Sequence, residues 1–140
     1  MSTAITLIGF DYGEKRIGVA VGQTLTTTAT PLTTLAARHG KPDWSKVRTI
    51  IDQWCPDALV VGLPLNMDGT EQQATKEARR FARRLQQHHP LPVHFADERL
   101  STREARDREH AGIPRQGRDA VAAQVILEGW MSGARLEAST

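Results

Sequence analysis

The order of apolar segments along the chain constrains its fold more than any other feature. Residues 4–10 are apolar and partly β-branched, and residues 16–22 alternate after a polar interruption, so together they predict a β-hairpin. Residues 24–35 are rich in threonine and contain Pro31, which predicts a third strand with the character of a sheet edge. The chain is therefore expected to begin with three antiparallel strands.

Helical and strand patterns then alternate. The predicted elements are a helix over 42–55, a strand over 58–63, a helix over 70–89 that starts with a capping-box pair at Thr70 and Gln73, a strand over 93–96, a charged helix from Ser101, a loop over 112–117 and a helix over 119–131. An antiparallel meander followed by α/β crossovers predicts an α/β fold with a mixed sheet and helices on both faces.

Composition limits the kind of protein. The 140 residues, 39% of them hydrophobic, suffice for one core, so a single domain over 1–140 is expected. Cys55 is the only cysteine, which excludes an internal disulfide and a multi-thiolate zinc site. No apolar run reaches the roughly 20 residues that a membrane helix needs, so a cytoplasmic protein without membrane contact is expected. The net charge of +2 permits nucleic-acid binding without proving it.

Asp11 is the first acid at an unusual position. Ile5, Leu7, Gly9 and Asp11 share one side of the first strand, so an acid ends an otherwise apolar row. Ligands of open α/β sheets bind at such strand ends. The alternative is that Asp11 only caps the following turn.

Asp119 is the second such acid. It shares a face of the last predicted helix with four apolar or small residues, whereas Gln124 and Glu128 are predicted to point the opposite way; the four are Ala122, Ala123, Ile126 and Trp130. An acid on a buried stripe is costly unless it is protonated, hydrogen-bonded or bound to a cation. The alternative role is that of a helix N-cap.

Asp97 and Glu98 follow the short strand over 93–96. Neighbouring side chains of a strand point to opposite faces, so only one of the two is expected to reach a given site. An ion pair of either acid with Arg99 is the structural alternative. Carboxylates that converge on one sheet edge suit Mg²⁺ or Mn²⁺, with one-metal and two-metal schemes both open.

Four segments carry a family resemblance. The sequence resembles the YqgF family of the RNase H-like superfamily, a group linked to Holliday-junction resolution and pre-16S rRNA cleavage. The matching segments are GFDYGEKRIGVAVG from Gly9, VVGLPLNMDGTE from Val60, DERLST from Asp97 and RDAVAAQVIL from Arg118. They keep the order and spacing of the family over nearly the whole chain.

The resemblance implies both fold and site. It implies an RNase H-like five-stranded sheet in the order 3-2-1-4-5, with Asp11, Glu98 and Asp119 as the catalytic and metal-binding acids and Asp97 as a possible fourth. Ser101 stands where the family usually has threonine. The implied activity is metal-dependent phosphodiester hydrolysis, in 5′-end processing of pre-16S rRNA and ribosome biogenesis, by a monomer or weak homodimer.

Several polar residues are predicted to bind nucleic acid. Between residues 99 and 118 six arginines face three acids, which predicts contacts to a phosphate backbone. The residues predicted to bind nucleic acid are Lys15, Arg16, Asn66, Arg99, Arg115 and Arg118. The basic face of the helix over 70–89 is interpreted as a solvated surface rather than as an RNA-binding ridge.

Two other functions remain open from the sequence, and a third is disfavoured. A Holliday junction resolvase would cleave branched DNA with the same acids. A non-catalytic rRNA-binding factor would keep the fold without turnover. Phosphotransfer from ATP, which related folds perform, needs a second domain for which 140 residues leave no room.

Overall fold

A seven-stranded mixed sheet forms the centre of the protein. The computed structural model describes residues 5–100, 117–133 and 135–136. The strands are β1 (Thr6–Asp11), β2 (Arg16–Gln23), β3 (Thr28–Arg38), β4 (Lys41–Pro42), β5 (Ala58–Leu63), β6 (Val93–Asp97) and β7 (Arg135–Leu136). Their order across the sheet is β4-β3-β2-β1-β5-β6-β7. Strands β1 and β5, and β5 and β6, pair in parallel, and the other pairs are antiparallel.

The prediction of five strands in the order 3-2-1-4-5 was wrong. Strand β4 extends the sheet beyond β3, and β7 extends it beyond β6. Each of these edge strands has two residues, which is too short to produce an alternating pattern. Strand β4 forms because the chain reverses at His39 and Gly40, both with positive φ, and brings Lys41 back beside Arg38.

Three helices are described. They are α1 (Trp44–Trp54), α2 (Gln73–His88) and α3 (Arg118–Met131), and a short 3-10 turn over Glu98–Leu100 follows β6. The predicted capping box at Thr70 and Gln73 was wrong, because Gln72 is the N-cap of α2 and Thr75 is its reciprocal partner. The charged helix predicted from Ser101 falls on residues outside the described ranges.

The helices cover both faces of the sheet, as predicted. Helices α1 and α2 pack on one face, which we call the α1/α2 face, around Phe10, Val61 and Phe81. Helix α3 packs on the other, the α3 face, through Ala123 and Leu127. The strand residues therefore alternate between two apolar layers, which explains the unbroken burial of β5.

Helix α3 also contacts β3 through two side-chain hydrogen bonds. Gln124 Nε2 donates to the carbonyl oxygen of Ala29 at 3.0 Å, and Glu128 accepts from the Ala29 amide at 3.2 Å. The prediction that these two side chains point away from the sheet was therefore wrong. The helix lies over the β2–β3 pair, so its flank meets backbone groups that a helical-wheel pattern cannot reveal.

None of the described helices is long and apolar enough to span a membrane.

Candidate active site

Asp11 ends β1 on the α3 face of the sheet. Leu7 belongs to the apolar cluster under α3, and Ile8 and Phe10 belong to the opposite cluster, so alternation places Asp11 on the same side as Leu7. Gly18 pairs with Asp11 across the β1–β2 ladder. The last parallel pair of β1 and β5 is Phe10 with Val61, so Gly62 is the next residue of β5 alongside Asp11.

Gly18 allows the start of α3 to approach Asp11. A Cβ at Gly18 would overlap the backbone carbonyl oxygen of Asp119 and lie 3.0 Å from the amide nitrogen of Ala120. The N-cap of α3 is Gly117, so Asp119 lies in the first turn and is not itself the cap. The first turn of α3, with its acid, therefore rests directly on the strand that pairs with Asp11.

Gly62 likewise leaves space for the carboxylate of Glu98. A Cβ at Gly62 would lie 2.9 Å from Glu98 Oε1 and 2.6 Å from Ile126 Cδ1. Ile126 belongs to the cluster under α3, which places the Glu98 carboxylate on the α3 face. Glu98 is the residue directly after β6, at the carboxyl end of that strand.

Three predicted acids thus share one face and one edge of the sheet. Asp11, Glu98 and Asp119 come from β1, the turn after β6 and the first turn of α3. Within residues 5–100, 117–133 and 135–136, however, no three His, Cys, Asp or Glu side chains form a group that could hold a metal ion. The acids are gathered but do not form a closed ligand cluster in this conformation.

One of the three acids, Asp119, forms an ion pair with Arg16. Arg16 Nε donates to Asp119 Oδ2 at 2.9 Å, and the two side chains are 57% and 24% exposed. Arg16 is the first residue of β2 and lies two positions before Gly18, which contacts the backbone of Asp119. Its guanidinium is therefore close to the Asp119 carboxylate. Arg16 was predicted to bind phosphate, and in this structure its guanidinium binds Asp119.

Asp97 has a different environment from Glu98. Its carboxylate accepts from Arg99 Nε at 3.1 Å and from Arg99 Nη2 at 2.8 Å, and it also binds the Arg99 amide. The Arg99 guanidinium lowers the pKa of Asp97. Asp97 is only 8% exposed, so its charge is balanced locally by Arg99.

The loop after β5 is held by its own side chains. Asn66 Nδ2 donates to Thr70 Oγ1 at 3.0 Å, and the Asn66 amide donates to the Thr70 carbonyl oxygen at 2.9 Å. Gly69 has a φ of 90°, and a Cβ there would lie 3.1 Å from Arg99 Nη1. Asn66 and Arg99, both predicted to bind nucleic acid, therefore also shape this loop.

The structure describes two of the three remaining basic residues that were predicted to bind nucleic acid. Lys15 is exposed in the turn between β1 and β2, and Arg118 is exposed at the first position of α3. Both flank the edge that carries the acids. Arg115 lies outside the described residues.

Sequence reasoning missed Gly18 and Gly62. Glycine is unfavourable inside a strand because it packs no side chain, and in such a place it often marks a close approach by another segment. Both glycines lie within strongly apolar strands, which was the available signal. Which segment approaches them depends on tertiary packing.

The fold is similar to that of RuvC. A structure of Thermus thermophilus RuvC in complex with a Holliday junction substrate superposes with a TM-score of 0.60, at 16% identity, over 94% of this chain and 98% of that one. A second structure of Thermus thermophilus RuvC gives a TM-score of 0.57 at 14% identity. At these identities the likeness concerns the fold alone.

Sequence comparison narrows this class to one family. The model of the family described as "RuvX: Holliday junction resolvase" matches residues 5–133, and the chain belongs to that family, for which YqgF is another name. A protein of Azotobacter vinelandii named "Putative pre-16S rRNA nuclease" is 51% identical over 94% of this chain and 96% of its own length. A protein of Nitrosococcus oceani with the same name is 54% identical over 90% and 86%. The predicted YqgF resemblance is confirmed.

Proposed function

We propose that this chain is a metal-dependent nuclease that hydrolyses phosphodiester bonds in the 5′-end processing of pre-16S rRNA. The observation that carries the proposal is the placement of three acids on one face and edge of the sheet. Two strand glycines, Gly18 and Gly62, provide the space for that placement. A purely structural chain has no need to gather three carboxylates, because their mutual repulsion is unfavourable.

The residues suit a hard divalent cation. Asp11, Glu98 and Asp119 offer the carboxylate oxygens that Mg²⁺ and Mn²⁺ prefer, and we propose them as the ligands. A bound divalent ion would supply positive charge to the phosphate oxygens and lower the pKa of a water. Asp97 is proposed as the partner of Arg99, since that arginine already satisfies its carboxylate.

Arg16 has two roles in this scheme. In the structure its Nε donates to Asp119 Oδ2 at 2.9 Å and balances the charge of that carboxylate. Asp119 would hold the ion together with the other two proposed ligands, and Arg16, 57% exposed at the same edge, would then bind the substrate phosphate. Lys15 and Arg118 are exposed beside the same edge and are proposed to contact neighbouring phosphates, as is Arg115.

The substrate is proposed from the relatives. Proteins 51% and 54% identical over most of their lengths carry the name of a pre-16S rRNA nuclease. Small-subunit rRNA precursors are processed in the cytoplasm, which we propose as the location of this chain. We further propose that 1–140 act as one domain and as a monomer, because a single end-processing cut needs one site.

Cleavage of branched DNA is the second candidate. The family model that matches residues 5–133 carries the description of a Holliday junction resolvase. Resolution of a four-way junction requires two symmetric cuts and therefore a dimer. The oligomeric state during catalysis accordingly separates the two candidates.

A substrate panel tests the proposal. Purified protein is incubated in Mg²⁺ or Mn²⁺ with a 5′-extended 16S rRNA precursor, a four-way DNA junction and a linear duplex, beside the Asp119→Asn variant. We expect metal-dependent trimming of the precursor that the variant lacks. Cleavage of the junction alone would assign the second candidate. Tight precursor binding without cleavage would indicate a non-catalytic rRNA-binding factor.

A further inference from the structure

A polar cleft lies at the end of β1 on the α1/α2 face of the sheet. It has a volume of about 280 Å³. Its walls come from the turn after β1, the reversal before β4 and the exposed side of α2. The residues that matter for its chemistry are Tyr12, Gly40, Lys41, Glu77, Arg80 and Arg84.

The floor of the cleft is aromatic and fixed. Tyr12 packs against Phe81 with ring centroids 5.1 Å apart, and Phe81 is 2% exposed. Gly40, with a φ of 77°, lies against the Tyr12 hydroxyl, and a Cβ at this position would overlap that oxygen. Burial raises the pKa of Tyr12, and the Glu77 carboxylate raises it further, so the phenol is a neutral hydrogen-bond donor near pH 7.

The walls carry more positive than negative charge. Lys41, Arg80 and Arg84 face Glu14 and Glu77, a formal excess of one positive charge before His39 is counted. None of the three cations forms an ion pair with a carboxylate in the part of the chain that the structure describes. Three cations from two separate elements therefore line one cleft.

The other basic residues of α2 do not line the cleft. Arg79 points to the other flank, where it binds Glu71 at 2.9 Å and lies over the Phe95 ring. Lys76 and Arg83 are exposed and do not line the cleft. Arg80, which is exposed, and Arg84, which is half-buried, are the basic residues of α2 that line the cleft with Lys41.

The cleft adjoins the acidic edge through the backbone. Tyr12 directly follows Asp11, and the two residues lie on opposite faces at the same end of β1. A strand that crosses this end of the sheet can therefore contact the acids on one side and the cleft on the other. We infer that the cleft binds one phosphate and its ribose in the substrate RNA strand, beyond the bond that is cut. This inference rests on the nuclease function proposed above.

A binding measurement without cleavage tests this inference. The probe is a short 5′-labelled single-stranded RNA in EDTA, so the result does not depend on turnover. The double variant Arg80→Gln/Arg84→Gln is compared with Lys76→Gln/Arg83→Gln, which removes the same charge from the same helix outside the cleft. We expect the first variant to bind about tenfold more weakly than the second, as for the loss of a charge-assisted hydrogen bond.

The salt dependence gives a second readout. For a single strand, each lost phosphate contact reduces the slope of log affinity against log salt by about 0.7. The cleft variant should lose about one such contact and the control variant none. Equal affinities and slopes for the two variants would overturn the inference. Failure of the wild type to cleave any RNA would instead overturn the proposed function.

Free ligands distinguish a nucleic-acid subsite from a general anion site. Amide resonances of Gly40 and Lys41 are followed by NMR during titration with inorganic phosphate and with a nucleoside 5′-monophosphate. Larger shifts with the nucleotide support a pocket for phosphate and ribose. Identical responses to both ligands would overturn the ribose contact.

Discussion

Gly18 is the residue on which the approach of α3 to Asp11 depends. We expect Gly18→Ala to destabilise the protein by about 1–3 kcal/mol, because its methyl group would overlap the backbone of Asp119, which cannot rotate away. Cleavage should fall as well, since the first turn of α3 is pushed from the acidic edge. Urea denaturation measures the stability loss.

Gly22→Ala is the matched control for that substitution. A Cβ at Gly22 would lie 3.2 Å from Met131 Cε and 3.3 Å from Leu127 Cδ1, both ends of flexible side chains. The control should therefore lose less stability and keep its activity. If the two variants were equally stable, the closer contact at Gly18 would cost no more free energy of unfolding than the contact at Gly22.

If Asp119 is a metal ligand, as we propose, its ion pair with Arg16 should compete with the cation. We expect Arg16→Gln to bind Mn²⁺ up to about fivefold more tightly in calorimetry, because an exposed ion pair contributes about 0.2–1 kcal/mol. Lys15→Gln removes the same charge from the neighbouring position and should change the affinity less. Weaker Mn²⁺ binding by Arg16→Gln would show that Arg16 supports the metal site instead.

Among the elements, α1 contains a pH-dependent cap. Asp43 accepts from the Ser45 hydroxyl at 2.6 Å and from the Ser45 amide at 3.0 Å, and these bonds hold the pKa of Asp43 below its usual value of 3.8. A lowered pKa means that the cap stabilises the folded state above about pH 3.8, and that this stabilisation is lost as the pH falls through the lowered value. Asparagine caps helices equally well without titrating.

We therefore expect Asp43→Asn to retain most of the stability at neutral pH and to lose less of it on acidification. Asp43→Ala should be less stable than both at neutral pH. Thermal unfolding between pH 2 and 7 measures the three proteins. Parallel pH profiles for the wild type and Asp43→Asn would contradict this role of the carboxylate.

The packing of α3 on β3 has a polar component. Gln124→Ala leaves the Ala29 carbonyl oxygen without its side-chain donor and should cost about 1 kcal/mol in urea denaturation. Gln87→Ala, on the exposed side of α2, is the control and should cost less. Equal losses would mean that the bond to Ala29 contributes nothing to the docking of α3.

The elements differ in how far the sequence predicts them. Strand β5 was predicted with its observed bounds, because its unbroken apolar run ends at turn residues on both sides. Strands β4 and β7 were missed because two residues cannot show a period. The N-cap of α2 was placed two residues early, since Thr70 instead binds Asp68 and Asn66 within the preceding loop.

The sequence could select the three candidate acids, but their relative placement depends on the packing of the whole molecule. Strand alternation and helical spacing selected Asp11 and Asp119 from the sequence, and the family resemblance selected Glu98. Their placement on one face depends on the parallel register of β1 and β5 and on the contact of α3 with Gly18. These contacts join residues about 50 positions apart in the first case and about 100 in the second, and they leave no local pattern.

Asp11 is proposed as a ligand in a metal-dependent catalytic site. The most direct measurement is the Mn²⁺-dependent cleavage rate of a 5′-extended 16S rRNA precursor by the wild type, Asp11→Asn and Asp52→Asn. Asp52 is 71% exposed on α1 and serves as the control for charge removal. We predict that Asp11→Asn, with unchanged thermal stability, slows cleavage by about a hundredfold or more while Asp52→Asn remains fully active. Full activity of a folded Asp11→Asn protein would contradict a catalytic role for Asp11.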